Sequence, residues 1–121
     1  MSNEFKAAPI KPAITIAELE KVDIRVGTIT AVEDVNGSDK LVRLLVDFGD
    51  RIRNILSGMK QERSDLQALV GAQALFVVNL EPRKMMGELS EGMLFDLGFA
   101  DGINPALAVP ETSVPNGTRA G

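Results

Sequence analysis

Cysteine, histidine, tryptophan and tyrosine are all absent from the chain, and five phenylalanines are its only aromatic side chains. Without thiols or imidazoles it cannot build a disulfide framework, a cysteine-based zinc site, a haem ligated by His, a thiol nucleophile or a triad with an imidazole base. An enzyme made from it would have only carboxylates, lysines, serines and threonines, and no metal or cofactor is expected. The lack of Cys is compatible with the cytoplasm, the expected location. Long apolar runs are missing too. Nothing approaches the roughly 18 residues of a membrane span, and the leading MSNEFKAAPIKPAITI has no apolar block behind a basic start, so neither a membrane segment nor a secretory signal is expected.

What is present suits a globular domain. Hydrophobic residues make up 45% and charged residues 25% of 121, enough for one domain that buries roughly 65–70% of its unfolded surface without staples. The formal net charge of −4 argues against a polyanionic partner. Its distribution argues otherwise: residues 1–39 carry 4 basic and 7 acidic side chains, 40–84 carry 8 and 5, and 85–121 carry 1 and 5. Charges beyond about 8 Å are largely screened at physiological salt, so the basic middle rather than the total sets the field met at contact.

Residues 1–13 read as a flexible polar lead and 14–121 as a single domain. Thr15 and Glu18 make a capping box, and Ile14 and Leu19 a hydrophobic staple, for a short helix over about 16–21. Val22, Ile24 and Val26 alternate with Asp23 and Arg25 in a strand running to about Val35, with a bulge or bend at Gly27. Asn36-Gly37 predicts a hairpin into a second strand (Val42, Leu44, Val46, Phe48), and Gly49-Asp50 a turn into a third (Ile52, Ile55, Leu56). Ser64 and Gln67 form a second capping box, for a short helix stopped by Gly71. ALFVVNL, residues 74–80, predicts a central strand ended by Pro82. Residues 81–92 read as a loop, and Met93, Phe95, Leu97 and Phe99 as one face of a fifth strand packed on the core. The prolines at 105, 110 and 115 predict extended segments and turns thereafter. Five strands with a small helix between the third and fourth is the order of an all-β OB-fold barrel, an order that other small barrels share.

Sharper markers lie along the chain: Asp23-Ile24-Arg25-Val26-Gly27, Asp39-Lys40-Leu41, Val46-Asp47-Phe48-Gly49, Ser57-Gly58-Met59, the run Asn79 to Gly87 (NLEPRKMMG), and Ser90-Glu91-Gly92-Met93. From about Ile16 to the C-terminus the sequence resembles the tRNA-binding domain found at the C-terminus of bacterial methionyl-tRNA synthetases, in stand-alone tRNA-binding proteins and in the endothelial monocyte-activating polypeptide. The resemblance implies an OB barrel with extra C-terminal β segments, a homodimer, and recognition of tRNA by shape rather than by anticodon. The CsaA-type secretion chaperones share the Asp-Ile-Arg-Val-Gly start and a Val-Pro-Asn-Gly ending like that at 114–117. Ser57-Gly58-Met59 and Asp39-Lys40-Leu41 lean toward the tRNA-binding branch, and the tail leans toward the chaperones.

The candidate tRNA-binding residues follow from these markers. Pro82 stiffens the loop that presents Arg83 and Lys84; Arg can hold a phosphate with two parallel hydrogen bonds, and Lys acts as a point charge. Arg51, Arg53, Lys40 and Lys60 could extend a basic track, with Ser57 at its side. Asn79 interrupts an apolar strand, so it needs either a buried partner or a ligand. Ser90 and Met93 match the family's Ser-x-Gly-Met, in which Ser can bond a phosphate or 2′-hydroxyl and Met a base. Gly58, Gly87 and Gly92 read as positions of special backbone geometry. So few aromatics fit recognition of folded RNA better than stacking on a single strand.

Catalysis is not expected. Gly87 to Gly92 has the G-x-x-x-x-G spacing of a phosphate loop but lacks the Lys and Ser/Thr that follow it, and the carboxylate pairs Asp47/Asp50 and Glu88/Glu91 carry no further ligand pattern. The rival reading is a protein-binding module that holds unfolded export precursors through an apolar groove with contributions from Met85, Met86 and Leu89. A synthetase partner is a third possibility.

Overall fold

Ile24–Asp34 forms β1, a strand of 11 residues long enough to serve two neighbours in succession. Its first half pairs antiparallel with β4 (Gln73–Val77) and its second half with β2 (Val42–Asp47), the register slipping between Ile29 and Ala31. The slip is the bulge. Gly27, two residues earlier, serves a different purpose: a Cβ there would stand 2.5 Å from Val46 Cγ1 and 2.8 Å from Phe48 Cε1, so β1 lies against β2 where only glycine fits. β2 pairs with β3 (Ile52–Ser57) and β4 with β7 (Met93–Leu94), giving the order β3-β2-β1-β4-β7. The computed structural model describes residues 5–121, and none of the described helices is long or apolar enough to cross a membrane.

The alternation of β2 decides the core. Val42, Leu44 and Val46 are fully buried, as are Ile29, Ile55 and Phe76, and Phe76 meets Phe48 edge-to-face with ring centroids 5.4 Å apart. β3 curls back to contact residues 88–90 and β7, so the five-stranded sheet wraps around this core as a half-barrel of the expected all-β, OB-like kind. β1's remaining edge is taken by the C-terminal segment. Gly117 N–H donates to the Val26 carbonyl (2.7 Å), Val26 N–H to Thr118 (2.9 Å) and Ala120 N–H to Ile24 (2.8 Å), while Asn116 Oδ1 accepts from Thr28 Oγ1 at 2.7 Å. The Val-Pro-Asn-Gly ending is therefore a strap along the first half of β1.

The local expectations meet mixed fates. Thr15 and Glu18 form their capping box at the head of α1 (Ile16–Leu19), but Ile14 and Leu19 stay more than half exposed. Gly37 and Gly71 take positive φ at the hairpin and at the end of the second helix, as their positions require. That helix is a single 3-10 turn, Leu66–Leu69, headed by Asp65 with no side-chain cap; Gln67 instead donates to the Val32 carbonyl at 3.0 Å, so Ser64 and Gln67 make no box.

Two larger corrections concern the end of the barrel. Residues 81–92 are not an irregular loop but contain a hairpin of β5 (Arg83–Met85) and β6 (Glu88–Ser90). The fifth strand is broken and its phase is reversed: Leu94 is buried, whereas Met93, Leu97 and Phe99 are 45%, 57% and 70% exposed. After β7 the chain leaves β4 and pairs β8 (Asp96–Leu97) with β9 (Ala106–Leu107) before a 3-10 turn at Phe99–Asp101 can continue any alternation.

Candidate functional site

The β5–β6 hairpin stands on the edge of β3, and it is fixed at both ends. Its turn consists of Met86 at φ 52° and Gly87 at φ 80°, both left-handed, as a two-residue turn matched to strand twist demands. At the base, Ser90 Oγ accepts from Leu56 N–H at 3.0 Å and donates to the Gly92 carbonyl at 3.1 Å. Glu91 completes the junction, its N–H donating to the Asn54 carbonyl at 2.8 Å and its carboxylate accepting from Asn54 N–H at 3.0 Å. At the tip, Glu88 is ion-paired with Arg43 of β2, and Arg43 also holds Glu33 at 2.9 Å. These partners hold the Arg43 guanidinium's proton more firmly than usual.

Arg83 and Lys84 are adjacent on β5 and therefore project from opposite faces. Both are exposed, and neither forms an ion pair with a described residue. The other expected cations fare differently. Arg53 donates to the carbonyls of Val78 (2.7 Å) and Glu91 (3.2 Å) and lies 5.9 Å above the Phe48 ring. Lys60 Nζ reaches Asp34 at 3.3 Å and the Ser38 carbonyl at 3.2 Å. Arg51 faces Asp50 at 3.6 Å with both side chains mostly in solvent. Lys40 is exposed beside Lys60, which donates its N–H to the Lys40 carbonyl at 3.0 Å. Ser57, half-buried, ends β3 opposite Val42.

Asn79 is engaged at both ends of its amide: Oδ1 accepts from Asp23 N–H at 2.9 Å and Nδ2 donates to the Lys21 carbonyl at 2.6 Å. It clasps the chain entering β1. Next to it, Asp23 bonds Arg25 (3.1 Å) and Arg119 (3.2 Å), and the Arg25 guanidinium foremost holds the Asp23 carboxyl below its ordinary value. Met93 is outside the core and lines a cleft of about 460 Å³ with Leu56, Leu80, Met85, Glu81 and Arg83. A wider groove of about 1010 Å³ runs past Leu97, Phe99 and Ile103 with Glu62, Asp96 and Asp101 around it. Burial, with Asp96 adding to it, pushes the Glu62 carboxyl up.

Three of the four carboxylates in the two pairs have structural partners, and Asp50 faces only Arg51 in solvent. Asp47 accepts from Gly49 N–H at 2.7 Å within a turn, and Glu88 and Glu91 serve the two ends of the hairpin. Gly87 needs its φ, and a Cβ at Gly92 would come within 2.8 Å of the Val77 carbonyl oxygen; Gly58, with neither positive φ nor a neighbour within 4 Å, has no such requirement. Sequence reading missed the Glu33–Arg43–Glu88 group. Glu33 and Arg43 do face each other in the β1–β2 register, but residues 35–41 connect those strands, so Asn36-Gly37, which as a two-residue turn would set Glu33 against Lys40, does not announce the pair.

The family model described as "Putative tRNA binding domain" matches residues 24–119. The chain belongs to the tRNA-binding domain family. Solved structures agree with that assignment. A methionyl-tRNA synthetase-related protein from Pyrococcus horikoshii is 31% identical, with 91% of this chain and 99% of that one covered and a TM-score of 0.83. The chaperone CsaA of Bacillus anthracis is 26% identical over 91% of this chain and 100% of its own, at a TM-score of 0.78. The C-terminal domain of Plasmodium vivax p43 is 28% identical over 81% of this chain and 58% of that one, at 0.74. Synthetase-related and chaperone proteins thus share this chain's fold, and the matched family is one of binding domains.

Proposed function

We propose that this chain is a non-catalytic module that binds the folded body of tRNA in the cytoplasm. The observation that carries the reading is the hairpin: Arg83 and Lys84 are held by a support fixed at base and tip, yet neither is neutralised by a described residue. Cations so placed can accept phosphates without first breaking an internal pair, and each phosphate neutralised releases counterions. Of the other expected cations, Lys40 is exposed and pairs with no described residue, whereas Arg51 is exposed but lies 3.6 Å from Asp50. Arg53, Lys60, Asn79 and Ser90 support the surface through the contacts above, and Met93 and Ser57 lie beside it.

Fluorescence anisotropy of a labelled, folded tRNA tests the reading. Binding should weaken steeply between about 50 and 200 mM salt. Replacing both Arg83 and Lys84 by Ala should lower affinity at least about tenfold with the fold intact, since exposed substitutions usually shift stability by no more than about 0.5 kcal/mol. Unchanged affinity in the folded double variant removes the hairpin from the site.

A second reading has its own support. The CsaA neighbours and the apolar cleft between Leu56, Leu80, Met85 and Met93 favour capture of unfolded precursor proteins. An unfolded precursor peptide run in parallel separates the two, because apolar capture does not share the salt dependence of phosphate binding. The working unit we propose is a homodimer, supported by an N-terminal helix that buries none of its residues and leaves Ile16 and Leu19 exposed. Sedimentation at micromolar concentration yielding the mass of one chain would reject it. A synthetase would be a further partner of that dimer.

A further inference from the structure

We infer that the cleft between β3 and the β5–β6 hairpin receives an unpaired guanine base whose phosphate sits on Arg83. The inference rests on the RNA reading above and goes beyond it by naming the base and the residue that selects it.

The cleft, at about 460 Å³, falls within the range of small-ligand sites. Its walls are aliphatic and thioether: Leu56, Leu80, Met85 and Met93, with Leu80 and Met93 left 48% and 45% exposed. The chain has no Trp or Tyr on which a base could stack. Polarizable Met side chains provide the substitute, since sulfur makes favourable contacts with aromatic rings. Gly92 lines the cleft without a side chain, as its approach to the Val77 carbonyl requires.

Two charged side chains line the same cleft, Arg83 and Glu81, separated by Pro82, whose fixed φ restricts their relative placement. Neither forms an ion pair with a described residue. Arg83 offers only donors and suits a phosphate; Glu81 offers only acceptors. A carboxylate is best matched by two adjacent N–H donors, and among the RNA bases guanine alone presents that pair, N1–H beside the N2 amino group. Adenine, cytosine and uracil set an acceptor next to each donor on that edge, and its lone pair would face the Glu81 oxygens.

The test is NMR of the full-length protein carrying 13C-methyl methionine, titrated with GMP, AMP, CMP, UMP and inorganic phosphate, with folded tRNA binding measured on the same sample. GMP should shift the Met85 and Met93 methyls saturably, at concentrations at least about tenfold lower than the other nucleotides require, as expected for hydrogen bonds to a charged group. The core residue Met59 should stay in place. Glu81→Gln should abolish the preference for GMP while Met85 and Met93 still respond to nucleotides. Equal responses to all nucleotides, a response to phosphate matching that to GMP, or a guanine preference surviving in Glu81→Gln would each overturn the inference. Binding of tRNA with no GMP response would sink the cleft and leave the RNA reading standing, whereas GMP binding without tRNA binding would keep the cleft and sink that reading.

Discussion

Arg53 on β3 and Arg83 on the hairpin that meets β3 through β6 have surroundings that could hardly differ more. Arg53 gives its hydrogen bonds to the carbonyls of Val78 and Glu91 and rests over Phe48, so its charge helps close the barrel. Arg83 stands exposed on a hairpin with no described carboxylate paired to it. The same division runs through the basic middle of the chain. Arg43 and Lys60 are paired within the fold, while Lys84 and Lys40 pair with no described residue. An excess of positive charge in a sequence is therefore not a binding surface; only the fraction left unpaired by the fold can act as one.

The largest effect should come from the barrel that makes this division possible. Phe76 is fully buried against Phe48, so Phe76→Ala should lower unfolding free energy by about 3–5 kcal/mol in urea titration, with the hairpin cations lost only through global unfolding. Next comes the junction between the two regions. Ser90→Ala strips a partner from the Leu56 N–H and from the Gly92 carbonyl, and should cost about 1–3 kcal/mol. If Ser90 instead acted mainly as an RNA ligand, the same variant would keep its stability and lose affinity, which would break the comparison.

Substituting the two arginines sharpens it. Arg53→Ala should destabilise by about 1–3 kcal/mol through two orphaned carbonyls, and tRNA affinity measured well below its melting temperature should change little. Arg83→Ala should do the reverse, with unchanged stability and several-fold weaker binding at low salt. Equal effects of the two substitutions on affinity would show that charge acts over the whole face and that internal pairing does not matter.

Why the fold was legible in the sequence and the division was not follows from the range of the interactions. Val42, Leu44 and Val46 alternate, Asn36-Gly37 turns, and Thr15 caps Glu18; each statement concerns residues a few positions apart, and each holds. The hairpin was missed because its turn is Met86-Gly87, and Met at φ 52° is not a turn residue that local chemistry announces. The phase of residues 93–99 was missed for a related reason. Opposite β4, the pairing of Met93 with Val77 and Leu94 with Phe76 already turns Leu94 to the core and Met93 to water, and beyond Phe95 the chain pairs with β9 instead of β4, so no single alternation runs through the segment. Candidate site residues are proposed from family markers, while their hydrogen-bonding states depend on distant partners. Asn79 binds backbone 56 and 58 positions away, and Ser90 binds 34 positions away.

The smallest effect expected concerns Asp23, which ties β1 to the C-terminal strap through Arg25 and Arg119. Its carboxyl is held below the ordinary 3.8, chiefly by the hydrogen bond from Arg25. A carboxyl whose folded value is depressed binds its proton more readily in the unfolded chain, so its contribution is fully present above 3.8 and is lost as pH falls through the lower folded value. Asp23→Asn should therefore melt a few degrees lower at neutral pH, with the difference from the parent protein shrinking toward zero as pH drops below that point. The pairs are partly open to water, so the shift should also shrink in high salt. The tRNA affinity of Asp23→Asn at pH 7 should match that of the parent. A loss of affinity there would mean that the strap reaches the hairpin surface, and the barrel's ion pairs and the hairpin's exposed cations would no longer be separable.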